Sequence, residues 1–246
     1  MGPITTEILL HAARTVRRAA RSFGVNVSFA EPDIVDFIRD RQITLVYDIG
    51  ANTGQFASKL RRGGYKGTII SFEPIRSVFE ALASKARLDP RWIVHNCGLG
   101  AAQEQLEINV SRDTKYSSIL DMSDLTAKFD PMASVERTEK IIIKTLDEVS
   151  AGEKETFLIK IDTQGYEHKI IEGGKMTFQR AAGVLMELPI LHLYKGNWEF
   201  HEALAHMASV GFAPAQITAV SYDVDDKVSL LEVDCLFRPV VREEAK

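Results

Sequence analysis

The sequence predicts a doubly wound α/β domain, and three observations predict it. Short β-rich apolar runs alternate with polar-apolar stretches of helical spacing over most of the chain. The first of these runs ends in a glycine-containing turn that leads into a helix, the place where open α/β sheets bind ligands. The 246 residues, 45% hydrophobic and 26% charged, have ordinary folded composition and enough material for one sizeable core.

From Thr5 to Phe23, Ile8, Leu9, Ala12, Val16, Ala19 and Ala20 recur at helical spacing with Arg14, Arg17, Arg18 and Arg21 largely between them. This predicts an amphipathic helix, packed on the domain or against a twin subunit as a homodimer contact. A single helix with such small apolar residues would bind an anionic lipid surface weakly. With its connection it occupies residues 1–30, and residues 31–246 form the main domain. Within that domain Thr44–Ile49 is a strand, Gln55–Arg62 a helix, Thr68–Phe72 a strand, Ile75–Arg87 a helix and Trp92–Asn96 a strand. Later come a strand at Phe157–Ile161, a helical stretch at Tyr166–Ile171, a strand at Val184–Leu188 and a helix at Glu199–Val210. Strands at Gln216–Tyr222 and Val233–Phe237 close the pattern. Residues 112–140 interrupt it with a polar stretch containing Pro131, flanked by a strand pair at Leu106–Val110 and Ile141–Lys144. A long excursion in a compact domain is expected to act as a lid or substrate flap.

Charge and cysteine content exclude several classes. The net charge of −4 divides into +3 on residues 1–23 and −7 on the rest, which argues against a nucleic-acid partner. Cys97 and Cys235 are too few for a disulfide framework and lack zinc-site spacing, so both read as core thiols. No apolar run has the ~18 residues of a membrane span, and no signal peptide is recognisable, so the expected location is the cytoplasm.

The stretch Val46 to Phe56 runs from a buried strand through Gly50, Asn52 and Gly54 into a helix. Gly50 and Gly54 would let the backbone approach a ligand closely, and Asn52 tolerates a left-handed turn. A dinucleotide fingerprint needs glycines at 50, 52 and 55, of which this chain has only the first, and no Walker loop is present. That leaves a turn for a nucleoside ligand without a pyrophosphate. Twenty-five residues beyond Asp48, Glu73 ends the second strand at the same sheet edge and can accept from both ribose hydroxyls, or cap the next helix. The combination favours S-adenosylmethionine over a nicotinamide cofactor.

At this point VYDIGANTGQFA, SFEP, NCGLG, TLDEV and LIKIDTQGYEHKIIEG, in this order, resemble the FkbM-type S-adenosylmethionine-dependent methyltransferases over residues 43–238. The resemblance implies the class I, Rossmann-like methyltransferase sheet of seven strands with the last antiparallel. It also implies O-methylation of a hydroxyl on a sugar or natural-product metabolite, a small-molecule acceptor. Carried over by position, Asp48, Gly50, Ala51, Asn52, Thr53 and Gly54 would surround the methionine part of the cofactor. Glu73 with Pro74 would hold the ribose, and Asn96, Cys97 and Gly98 would lie near the adenine. Tyr116, Ser117 and Ser118 would sit in the flap near the cofactor or acceptor. A nucleoside-binding module without chemistry and an NAD-dependent oxidoreductase are the alternative functions.

Methyl transfer to an alcohol requires positioning and a proton acceptor. Asp162 and Glu187 end adjacent strands within apolar runs where an unpaired charge is costly. They are the expected catalytic carboxylates, able to orient the acceptor, act as base or hold Mg²⁺. His192, in the loop after Glu187, is the expected third catalytic residue. His168 is a weaker candidate, and Glu167 is read as a helix N-terminal acid. Lys160 is read as facing the other side of the sheet.

Overall fold

The computed structural model describes residues 33–123, 131–191, 194–223 and 225–240. The segment expected to form the N-terminal helix and homodimer contact lies outside them, as does His192. In chain order the elements begin with helix α1 (Ile34–Asp40), strand β1 (Leu45–Ile49), α2 (Gln55–Arg62), β2 (Thr68–Phe72), α3 (Arg76–Ala86) and β3 (Trp92–His95). There follow β4 (Gly98–Leu99), β5 (Glu104–Ser111), a 3₁₀ turn at Thr114–Tyr116, β6 (Val135–Lys144), α4 (Leu146–Val149) and β7 (Phe157–Ile161). The chain continues through α5 (Glu167–Glu172), α6 (Lys175–Phe178), β8 (Gly183–Pro189), α7 (Phe200–Ser209), β9 (Phe212–Tyr222) and β10 (Leu230–Pro239).

The main sheet has the strand order β3-β2-β1-β7-β8-β10-β9. Pairing is parallel from β3 to β8, and β10 runs antiparallel to both β8 and β9. These are the seven strands with the last reversed that the resemblance implies. Strand order changes direction between β1 and β7, so the crevice at their carboxyl ends is the topological switch point of the sheet.

Side chains alternate across each strand, and this alternation builds two cores. Leu45, Tyr47 and Ile49 of β1 join Phe157, Ile159 and Ile161 of β7, with Ile170, Phe178, Ala203 and Met207 from α5, α6 and α7. Val46 and Leu158 face the opposite side, against Ile34 and Ile38 of α1, Ala57 and Leu60 of α2 and Leu82 of α3. Asp48 and Lys160 each stand two residues beyond an apolar residue of this second face. They therefore project to the same side as α2.

Helix α1 was not apparent in the sequence. It buries only Ile34 and Ile38 and depends on Asp33, whose carboxylate accepts from the Val35 and Asp36 amides in a capping box. The flanks of the excursion do pair, with Leu106 opposite Ile141 in an antiparallel β5–β6 ladder, and β4 adds to β6 in parallel. Ile108, Val110, Ile141 and Ile143 bury that small sheet against Ile75 and Val78. The excursion is thus anchored beside the start of α3, next to the switch point. Among the described residues no helix is long and apolar enough to cross a membrane.

Candidate active site

A cavity of about 770 Å³ opens at the switch point, within the size range of small-molecule sites. Its first end is built by the β1 and β2 strand ends. Gly50, Ala51 and Asn52 line it, with Glu73, Pro74 and Ile75 opposite and Gly98 and Leu99 beside them. Asn52 has φ 46°, the left-handed conformation expected of it. Its amide N–H donates to Glu73 Oε2 at 2.9 Å, and the Ile75 N–H donates to Oε1 at 2.9 Å. Glu73 therefore braces the entry to α3 and lines the cavity at once. It is 5% exposed. Burial pushes its carboxyl up to about 7, against the pull of the two amides and of Lys160. Asn52 Nδ2 donates to Thr114 Oγ1 at 3.2 Å, tying the turn to the excursion.

The second end is built from side chains. Lys160 donates to the Gly50 carbonyl at 3.0 Å and lies 3.3 Å from Asp48 and 3.4 Å from Asp162. Burial acts against its charge, but Asp162 and Asp48 outweigh burial and raise its pKa. Asp48 is fully buried, also accepts from Ser71 Oγ at 3.1 Å and does not line the cavity. Asp162 and Glu187 both line it, and the Gln164 amide stands between them, donating to Asp162 Oδ1 at 3.0 Å and Glu187 Oε1 at 2.9 Å. From β10 come Glu232 and Asp234, the latter directly opposite Glu187 in the β8–β10 register. Burial raises the Glu187 carboxyl well above the ordinary range, and the charges of Asp162, Glu232 and Asp234 add to it. Burial and Asp162 raise Asp234 as well.

The turn holding Asp162 is itself clamped. Glu167, 2% exposed, accepts from the Thr163 amide at 3.1 Å, its hydroxyl at 3.0 Å and the Gly165 amide at 3.1 Å. This acid holds the 163–165 turn in place. His168 packs between Tyr166 and Trp198 outside the cavity lining.

Several expectations need correction. Lys160 faces Asp162 and not the far side, because residues two apart on a strand share a face. Gly50 lines the cavity, and both it and Gly54 also leave room for the protein itself. A Cβ at Gly50 would lie 1.8 Å from the Asp162 carbonyl oxygen, and one at Gly54 would lie 2.7 Å from the Trp92 ring. Gly54 and Thr53 are not among the lining residues, and the Thr53 carbonyl accepts from Lys85 at 2.6 Å. Asn96 turns its amide to the carbonyls of Glu73 and Pro74, each at 2.9 Å, and so braces the Glu73 strand end from outside the cavity. Cys97 is a buried member of the main core. Tyr116 and Ser117 line the cavity, whereas Ser118 is buried behind it, donating to the Gln164 carbonyl at 2.6 Å. Of the site residues read from the sequence, the cavity lining unites Gly50, Ala51, Asn52, Glu73, Pro74, Gly98, Tyr116, Ser117, Asp162 and Glu187.

Sequence reasoning missed Gln164, Glu232, Asp234 and Tyr194. Gln164 had a weak signal, since it precedes Gly165, a turn residue three places beyond the strand-end acid Asp162. Glu232 and Asp234 had none, because only the antiparallel return of β10 brings them to Glu187. For a metal, the disposition is unfavourable. An amide donor occupies the gap between Asp162 and Glu187, and among the described residues no group of three or more His, Cys, Asp or Glu is placed to hold an ion.

Comparison with known proteins gives concordant findings. The family model described as methyltransferase FkbM domain matches residues 48–214. Methyltransferase 1 of Beauveria bassiana is 26% identical over 200 residues, 74% of this chain and 76% of that protein. The methyltransferase domain of bacterial CtHen1-C superposes with a TM-score of 0.46 at 14% identity, over 84% of this chain and 95% of that one. A TehB-like SAM-dependent methyltransferase from Corynebacterium glutamicum superposes with a TM-score of 0.40 at 13% identity, over 97% and 100%.

Proposed function

The chain belongs to the methyltransferase FkbM domain family and is a methyltransferase of the S-adenosylmethionine-dependent kind; on that premise we propose that it methylates a hydroxyl group of a sugar or natural-product metabolite. The observation that carries this reading is one cavity with two unlike ends. One end offers a single buried carboxylate held by backbone amides, and the other a web of carboxylates around Lys160 and Gln164.

The residues present fit the cofactor at the first end. Glu73 keeps lone pairs beyond its two amide bonds and lines the cavity, so it can accept from the vicinal hydroxyls of a ribose. Pro74, Ile75, Leu99, Ile108 and Ile141 supply an apolar wall of the kind an adenine needs. When bound, S-adenosylmethionine supplies a methyl carbon made electrophilic by its sulfonium charge. Asp162 and Glu187, at the ends of adjacent strands, orient the acceptor hydroxyl. Asp162 is tied to Lys160 and serves as the fixed negative charge. Glu187, whose affinity for a proton is raised by burial and by the charge of Asp162, takes the hydroxyl proton. Tyr116, Ser117 and Tyr222 wall the acceptor side.

The test is calorimetric titration with S-adenosylhomocysteine, with NAD as comparison, followed by a screen of hydroxylated sugars and polyketides. Saturable binding of S-adenosylhomocysteine alone is the expected result. With an acceptor in hand, Asp162→Asn and Glu187→Gln should each lower kcat by about 10²- to 10⁴-fold while leaving S-adenosylhomocysteine binding within a few-fold. Methylation confined to amine or carboxylate acceptors would overturn the hydroxyl assignment.

A further inference from the structure

Gln164 occupies a position that a side chain enters only under constraint. Its backbone is left-handed, with φ 57°, immediately before Gly165 at φ 104°. That conformation is costly for a residue with a Cβ and persists where neighbouring contacts over-determine it. Four contacts do so here. The Gln164 carbonyl accepts from Ser118 Oγ at 2.6 Å. Its side-chain oxygen accepts from the Tyr194 hydroxyl at 2.8 Å. Its Nε2 donates to both Asp162 and Glu187. Between two carboxylates only a donor is favourable, so the carboxylates fix which way the amide faces. The Tyr194 hydroxyl, which also reaches the Tyr116 carbonyl at 3.1 Å, then completes the far side.

The consequence concerns charge. Two carboxylates side by side repel, and without a donor between them one swings away or takes up a proton. Their neighbour Glu232 lines the same cavity and adds its charge to the crowding around Glu187. The amide opposes both outcomes with two hydrogen bonds to the carboxyl groups, stronger than neutral ones wherever the acceptor is charged. Tyr194, Ser118 and Tyr116 belong to the loop after β8 and to the excursion. Gln164 therefore links both of those segments to the strand-end carboxylates.

We propose that Gln164 is the positioning residue of the second end of the cavity, holding Asp162 and Glu187 together so that their charge distinguishes the cationic methyl donor from its neutral demethylated product. The proposal rests on the methyltransferase reading, and its test separates the two. Affinities for S-adenosylmethionine and S-adenosylhomocysteine are measured by calorimetry on the wild type, Gln164→Met and Tyr194→Phe, with a thermal midpoint for each protein. Gln164→Met is expected to weaken S-adenosylmethionine roughly tenfold, the scale of one charge-assisted hydrogen bond, while S-adenosylhomocysteine changes by less than about twofold. Tyr194→Phe, which preserves the Gln164 backbone, should shift the ratio in the same direction by about two- to threefold and carries the test if Gln164→Met fails to fold. A parallel loss of both ligands, or an unchanged ratio in the folded variants, would overturn the positioning role. Failure of the wild type to bind either ligand would instead refute the methyltransferase reading.

Discussion

At the ends of β1 and β2 a carboxylate is held by backbone; at the ends of β7 and β8 carboxylates are held by other side chains. Glu73 takes the amides of Asn52 and Ile75, whose positions follow from the turn and the helix entry themselves. Asp162 and Glu187 take Lys160 and Gln164, and through Gln164 they reach Ser118 and Tyr194. The first arrangement is local and stiff, suited to a ligand part common to every reaction cycle. The second is assembled from four separate stretches of chain, suited to the acceptor in the proposed reaction. The difference shows how a single sheet edge can carry one end fixed by its own backbone and another fixed by contacts between distant segments.

The strongest way to break the side-chain end is Lys160→Met. It leaves Asp48, fully buried, without its cation, and removing one partner of a buried pair costs about 3–5 kcal/mol. A large drop in the urea midpoint checks it, and a change under ~1 kcal/mol would mean that Ser71 alone satisfies Asp48. Gly50→Ala attacks the seam between the two ends. The added methyl would meet the Asp162 carbonyl, and φ 73° is a left-handed conformation. Together these should cost about 2–5 kcal/mol, measured in the same way.

Glu73→Ala tests the backbone-held end. Loss of hydrogen bonds to a charged acceptor should weaken S-adenosylhomocysteine about 10- to 100-fold by calorimetry. Glu73 also has a pH signature. Its folded pKa of about 7 lies above the ordinary 4.5, so the folded state holds this proton more tightly than the unfolded chain. The stability it contributes is complete below about pH 4.5 and is lost as pH rises through about 7. The wild-type urea midpoint should therefore fall more steeply over that window than the midpoint of Glu73→Gln. The smallest effect is expected from chelation, because Gln164 occupies the gap a cation would need. Exhaustive treatment with a chelator should leave binding and turnover unchanged, and a loss restored by Mg²⁺ would show the acid web to be a metal site.

Much of the first end was legible because its signals are local. The run from Val46 to Phe56 and the strand end at Glu73 carry their strand, turn and cap within a few residues. Even there, the protein's own demand for these glycines was hidden. Nothing in their spacing reveals that the Asp162 carbonyl, just beyond β7, and the ring of Trp92 come so close. Asp162 and Glu187 were legible as charges that end apolar strands, since such residues are costly unless paired or solvated. Gln164 was written in the same motif but lacked a charge to mark it.

By itself, then, the sequence determined the alternation of strands and helices, the place of the turn and the presence of acids at the strand ends. Periodicity, glycine content and desolvation cost all act over a few neighbouring residues. Only the tertiary structure decided that Lys160 faces the acids, that Ser118 and Asn96 brace rather than line the cavity, and that Glu232 and Asp234 join it. Those outcomes depend on which strands become neighbours. Strand order and register are set by the packing of the whole sheet between its two cores, an interaction between segments distant in the chain.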